Sequence, residues 1–107
     1  MKYRNKKTEV DGILFDSKRE ANRYLVLKAM EESGEIRFLR RQVKYTLIRG
    51  VRWSDGKKHR DTVYVADFVY EKAGKLVVED VKGFRTPVYK IKREIMKTLF
   101  DIEVVEV

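Results

Sequence analysis

The chain has 107 residues, with 25 lysines and arginines against 17 aspartates and glutamates and a formal net charge of +8. That length supports one core rather than two, no apolar run approaches the roughly 18 residues of a spanning helix, and the excess of cations favours a polyanionic partner, nucleic acid before an anionic membrane surface. With no cysteine and one histidine, His59, disulfides, thiolate zinc sites and histidine-rich metal centres are excluded, so a metal would have to sit on carboxylate oxygens, which suit hard cations such as magnesium.

Lys2, Arg4, Lys6 and Lys7 fall among the first eight residues with no acid between them, and residues 1–8 read as a basic N-terminal arm before a single domain over 9–107. No apolar stretch of the signal-peptide kind is present there, so a cytoplasmic location and no membrane partner are expected. Val10-Asp11-Gly12-Ile13-Leu14-Phe15 places two apolar patches around an Asp-Gly turn signal, a small hairpin or an irregular lead-in. Ser17 with Glu20 three residues on fits a capping box, and Phe15 precedes it as an apolar neighbour. Ala21, Tyr24, Leu25 and Lys28 at 3,4 spacing, with Leu27 beside them, predict a helix from about residue 18 to Glu32, closed at Ser33-Gly34.

Ile36 to Leu39 reads as a short strand and Gln42 to Arg49 as another, with Val43, Tyr45 and Leu47 on one parity. Residues 50–59 form a polar, basic loop. From about Arg60 to Tyr70 the pattern is the strongest β signal in the chain: Val63, Val65 and Val69 on one face, Tyr64, Ala66, Phe68 and Tyr70 on the other. Both faces are apolar, so this strand is expected to be central and covered on both sides. After a turn at Glu71 to Gly74, Lys75 to Lys82 returns beside it. Thr86-Pro87 is an N-cap and N1 pair for a second helix, with Val88, Ile91, Ile95 and Leu99 as its apolar stripe, Phe100 beneath it, and Lys90, Arg93, Glu94 and Lys97 largely towards solvent. Ile102, Val104 and Val105 close the chain as a short strand.

Asp67 is the anomaly, because it stands on the Val63-Val65-x-Val69 face where another valine is expected and an unpartnered buried carboxylate is costly. On the returning strand, Asp80 and Lys82 share one parity and Glu79 takes the other. A connection with an even number of unpaired residues sets Asp80 on the face of Asp67; an odd one brings Glu79 there, and periodicity leaves both registers open. Two carboxylates beside a lysine suit a divalent cation that stabilises charge on a phosphodiester and activates water, with the ammonium near the nucleophile or the scissile phosphate. Glu20 is the third acid a helix could bring to that end of the sheet, although the capping box alone accounts for it. Equally, Lys82 beside an acid could be an ordinary salt bridge, and the whole set a structural ion network.

Taken together, Val10-Asp11-Gly12-Ile13-Leu14-Phe15-Asp16-Ser17-Lys18-Arg19-Glu20, Arg41-Gln42, Tyr64-Val65-Ala66-Asp67-Phe68, Glu79-Asp80-Val81-Lys82-Gly83 and Thr86-Pro87-x-Tyr89-x-x-Lys92 resemble the PD-(D/E)XK nuclease superfamily. They are most similar to a small family of phage and prophage proteins of unknown function. The resemblance implies an α/β, restriction-endonuclease-like core: a mixed central sheet of four to five strands flanked by helices. It implies that Asp67 and Asp80 are the signature acids, Lys82 its lysine and Glu20 the acid of the first core helix, with Asp67, Asp80 and Glu20 as metal ligands. Gln42 corresponds more loosely to a polar residue near the site, and Glu79 and Lys92 are secondary candidates. Ala66 stands where the signature proline is expected, a mild departure because the metal needs the carboxylate.

Between Arg37 and Arg60 nine lysines and arginines face a single acid, Asp55. A phosphate-tracking surface is therefore expected from Lys2, Arg4, Lys6, Lys7, Arg40, Arg41, Lys44, Arg52, Lys57, Lys58, Arg60 and Arg85. Tyr3, Tyr45, Trp53 and Tyr89 are available for base stacking or for packing. The expectation is an Mg2+-dependent endodeoxyribonuclease, with Mn2+ able to substitute, cutting DNA by structure or with weak sequence preference; branched or recombination intermediates, as for resolvase-like enzymes, enter by analogy alone. No small-molecule cofactor is expected. A homodimer is allowed and would set two sites against one duplex or junction. The competing class is a non-catalytic nucleic-acid-binding accessory protein with a degenerate nuclease fold.

Overall fold

The computed structural model describes residues 6–82 and 84–107. Two short strands, β1 (Thr8–Val10) and β2 (Ile13–Phe15), form the hairpin around Asp11-Gly12, both at positive φ. Helix α1 (Lys18–Glu32) follows, then β3 (Arg37–Ile48), β4 (Thr62–Lys72), β5 (Lys75–Asp80), α2 (Pro87–Phe100) and β6 (Val105–Glu106). The main sheet is mixed, ordered β3-β4-β5-β6: the first two pairings are antiparallel and β5–β6 is parallel. Thr8, assigned by sequence to the basic arm, is already in β1, and the rest of that arm as far as residue 5 lies outside the described residues.

One helix covers each face of this sheet. Phe15, Ala21, Tyr24, Leu27 and Ile36 pack with Phe68 and Tyr70 under α1. Leu47, Tyr64, Ala66, Val69 and Val78 pack with Tyr89, Met96 and Val104 under α2. Along α1 the inward side is Ala21, Tyr24 and Leu27, whereas Leu25 is half exposed. Ser17 caps the helix by accepting from the Glu20 N–H at 3.1 Å. Thr86 caps α2 by accepting from the Tyr89 N–H at 3.0 Å, with Pro87 as first helical residue. The expected stripe of α2 is turned away: Val88, Ile91 and Leu99 are each more than half exposed, while Tyr89 and Met96 are buried and Ile95 only partly so.

The two segments expected at Ile36–Leu39 and Gln42–Arg49 are one continuous strand, β3, and it contains two residues at positive φ, Phe38 and Gln42. The second marks a reversal of faces. Leu39 points to the α1 side, whereas Val43, Tyr45 and Leu47 point to α2; opposite them Phe68 and Tyr70 face α1 while Tyr64 and Ala66 face α2. Arg41 pairs with Phe68 and Val43 with Ala66, so Gln42 and Asp67 occupy the switch on their two strands. Asp67 therefore replaces no valine on a continuous face: Val63 and Val65 do not share the side of Val69. Strict alternation, a property of regular pleat, fails at that residue.

Candidate active site

Ala73 and Gly74, both at positive φ, form the two-residue turn between β4 and β5, and Lys72 pairs with Lys75. That even connection puts Glu79 opposite Phe68 and carries Asp80 to the level of Asp67. Regular β4–β5 pairing ends there. Beyond it β4 stays with β3, while β5 stays with the C-terminal strand through Val107 N–H to Asp80 C=O at 3.0 Å and Lys82 N–H to Val107 C=O at 3.2 Å. In the gap the Asp67 carboxylate accepts the Val81 N–H at 2.8 Å, standing where a backbone carbonyl would be.

This gap is the floor of a cleft of about 540 Å³ lined by Asp16, Ser17, Arg19 and Glu20 from the start of α1, Val65 and Asp67 from β4, Asp80, Val81 and Lys82 from β5 and its extension, and Phe84. Four of the sequence-expected residues, Glu20, Asp67, Asp80 and Lys82, thus line one cleft. Gln42 joins them from β3, its amide donating to Glu20 Oε2 at 3.2 Å and to Asp67 Oδ1 at a long 3.4 Å. The capping box is only half made: the Ser17 side uses the Glu20 backbone, and the Glu20 carboxylate is left to face Gln42 and the Arg41 guanidinium, 3.9 Å away. Asp80 is held from both oxygens, by Lys82 Nζ at 2.8 Å and by the Tyr64 hydroxyl at 2.6 Å. Lys82 also lies over the Tyr89 ring, 3.9 Å from its centroid.

Burial is the main force on these groups. Desolvation pushes the Asp67 carboxyl up to about 7, opposed by the Val81 N–H and reinforced by the negative charges of Asp80 and Glu20. Glu20 is raised as well, first by burial, with Arg41 pulling the other way. The Tyr64 hydroxyl is pushed far above its ordinary range by burial and by its bond to Asp80, which keeps it a donor.

No group of three carboxylate, imidazole or thiolate side chains among the described residues is already arranged to hold a metal ion. In chemistry, though not in present spacing, the oxygens of Glu20, Asp67 and Asp80 fit a hard divalent cation. Acids crowded together are the environment in which added positive charge favours ionisation.

Other expected residues lie elsewhere. Glu79 is buried on the α1 side, taking a two-pronged bond from Arg23 at 2.8 and 2.6 Å and another from the Tyr70 hydroxyl. Lys92 is on α2 and does not line the cleft. Arg41 is stacked on Phe15, 4.5 Å from the ring centroid, and Arg85 is spent on Glu106 at 2.6 and 2.9 Å. Lys6, Lys7, Arg40, Lys44, Arg52, Lys57, Lys58 and Arg60 are exposed, whereas Lys2, Arg4, Tyr3 and Gly83 lie outside the described residues. Tyr45 packs against Phe100 and Tyr89 is buried, so among the described residues named for stacking Trp53 is the exposed aromatic. Sequence reasoning did not single out Asp16 and Arg19 as cleft residues; their position flanking the N-cap Ser17, at the helix end nearest the acids, was the available signal.

No curated protein and no solved structure matches this chain. The family described as "protein of unknown function (DUF1064)" matches residues 1–105, and the chain belongs to it.

Proposed function

We propose that the cleft is the active site of a metal-dependent endodeoxyribonuclease with a restriction-endonuclease-like core of the PD-(D/E)XK kind. The observation that carries the reading is the parting of β4 from β5 at Asp67 and Asp80. It aims two carboxylates and Lys82 into a cleft whose far wall is the N-terminal turn of α1 bearing Glu20. Asp16, Glu20, Asp67 and Asp80 would repel a phosphodiester on their own. Glu20, Asp67 and Asp80 would hold magnesium, or manganese in its place, and the cation would supply the charge that offsets this repulsion and the acidity that a nucleophilic water needs.

The protein's own groups do the positioning. Val81 N–H and the Gln42 amide fix the two oxygens of Asp67, and Tyr64 fixes Asp80. Lys82 presents an ammonium on the same wall, where it orients the nucleophilic water and neutralises a phosphate oxygen. Water adds to phosphorus as one P–O ester bond breaks, and the proton that the water loses ends on the departing alkoxide. Lys6, Lys7, Arg40 and Lys44 leave positive surface for the flanking backbone.

The test is a magnesium and manganese titration over labelled linear, flapped and four-way DNA, with RNA alongside. Metal-dependent cutting is expected from the native protein, reduced at least about a hundredfold by Asp80→Asn or Lys82→Ala. One observation favours a second reading, a non-catalytic binding protein: both Asp80 oxygens already have partners. DNA binding without cutting of any substrate under either metal would decide for that reading.

A further inference from the structure

Residues 49–61, between β3 and β4, carry five cations (Arg49, Arg52, Lys57, Lys58 and Arg60) and two acids. Both acids are consumed in shaping the loop: Asp61 accepts the Gly50 N–H at 2.7 Å and Asp55 accepts the Lys57 N–H at 2.9 Å. Backbone bonds from Trp53 N–H to Lys57 C=O, Gly56 N–H to Trp53 C=O and His59 N–H to Val51 C=O, at 2.9 to 3.0 Å, close it into a small wing. Arg52 bridges to the Gly56 carbonyl at 2.6 Å. At the base, a Cβ on Gly50 would lie 1.9 Å from the His59 carbonyl oxygen, so the two sides meet more closely than any other residue permits. The wing is thus built, with Arg49, Lys57, Lys58 and Arg60 making no ion pair among the described residues.

On it Trp53 and His59 lie face to face, ring centroids 4.2 Å apart and planes 5° from parallel, with Trp53 56% exposed. His59 thus covers one indole face, while more than half of Trp53 remains exposed on a loop that carries five cations. A surface continues from the cleft to this point. Val65 lines the cleft, and with its neighbours Lys44, Thr46 and Ile48 it lies on a side of the β3–β4 ribbon that α1 covers only as far as Phe68. From Asp67 to the wing at Thr62 is five strand residues, about 16 Å, or roughly five bases stacked at about 3.4 Å each.

We propose that the wing is a binding site for an unpaired DNA strand, one base stacking on the open face of Trp53 while the free cations hold the flanking phosphates. A duplex buries its base faces everywhere but at its two terminal pairs. Joined to the nuclease reading, on which this part rests, the site leads a single-stranded branch along the ribbon away from the cleft and makes forked or flapped DNA the substrate class.

Trp53 is the only tryptophan in the chain, so its emission reports the site directly and without catalysis. Emission of the intact protein is titrated with oligo-dT, with oligo-U and with a blunt duplex, in the presence of EDTA. Quenching by oligo-dT and not by the duplex is expected. Anisotropy with labelled oligo-dT should show about tenfold weaker binding for Trp53→Ala, recovery with Trp53→Tyr, and a shallower salt dependence for Lys57→Ala/Lys58→Ala. Unquenched emission, equal response to the duplex, response confined to oligo-U, or an unaltered Trp53→Ala affinity overturns the proposal. Quenching without any metal-dependent cutting would leave the wing standing and remove the nuclease; cutting without quenching does the reverse.

Discussion

Gln42 holds a left-handed backbone, φ +52°, in mid-strand, where a residue with a Cβ loses about 1–2 kcal/mol. Its amide reaches both Glu20 and Asp67, so the strained residue is also the one that ties α1 to β4 across the cleft. Nothing in the sequence around Arg41-Gln42 marks this, because a positive φ on glutamine has no composition signal. The Glu79–Asp80 ambiguity has a similar origin: the hairpin turn is Ala73-Gly74, whereas the pairs that betray a two-residue turn begin with Asn, Asp or Gly. With the register known, the adjacent acids separate by role. Glu79→Gln removes the charge that Arg23 and Tyr70 surround and should lower unfolding stability by about 2–3 kcal/mol, reduced from the fully buried case because Arg23 is 28% exposed. Urea denaturation measures that loss, and metal-dependent cutting by the folded variant should persist.

Among elements, α2 departs furthest from its sequence pattern. Val88, Ile91, Ile95 and Leu99 form a clean aliphatic stripe, yet the helix is anchored by Tyr89, whose hydroxyl donates to Glu106, and by Met96. Periodicity ranks helix faces by hydropathy, which undervalues a tyrosine whose hydroxyl has a hydrogen-bond partner. Met96→Ala should cost about 2–4 kcal/mol, while Ile91→Glu should stay within about 0.5 kcal/mol; paired thermal melts distinguish this packing from the inverse. In contrast, α1, its Ser17 cap and its Gly34 terminus were legible, since a cap and a terminal glycine act locally.

For the whole molecule, the order of helix, strands, helix and strand could be read from the sequence, but its shape could not. The radius of gyration is 16.0 Å, against about 13 Å for a compact chain of this length, because β3 and β4 run on past the helices into the wing. Beside its backbone pairing with β5, the C-terminal strand is held through a carboxylate: Glu106 takes Arg85, Arg93 and Tyr89, and these partners, Arg85 foremost, hold it at about 2 against an ordinary 4.5. A depressed acid stabilises the fold above its unfolded value and loses that contribution as pH falls towards its folded one. The native protein should therefore lose urea resistance between pH 4.5 and 2 more steeply than Glu106→Gln, as pH-dependent denaturation would measure.

The Val81 amide, which bonds to a side-chain oxygen of Asp67 in place of the β4 backbone, has a consequence for spectroscopy. Its proton resonance senses the charge on that carboxylate directly, unlike amides deeper in the ladder. A single cross-peak in a nitrogen-correlated spectrum thus serves as a native indicator of what the cleft holds, moving as ions or phosphates enter and needing no label at the site.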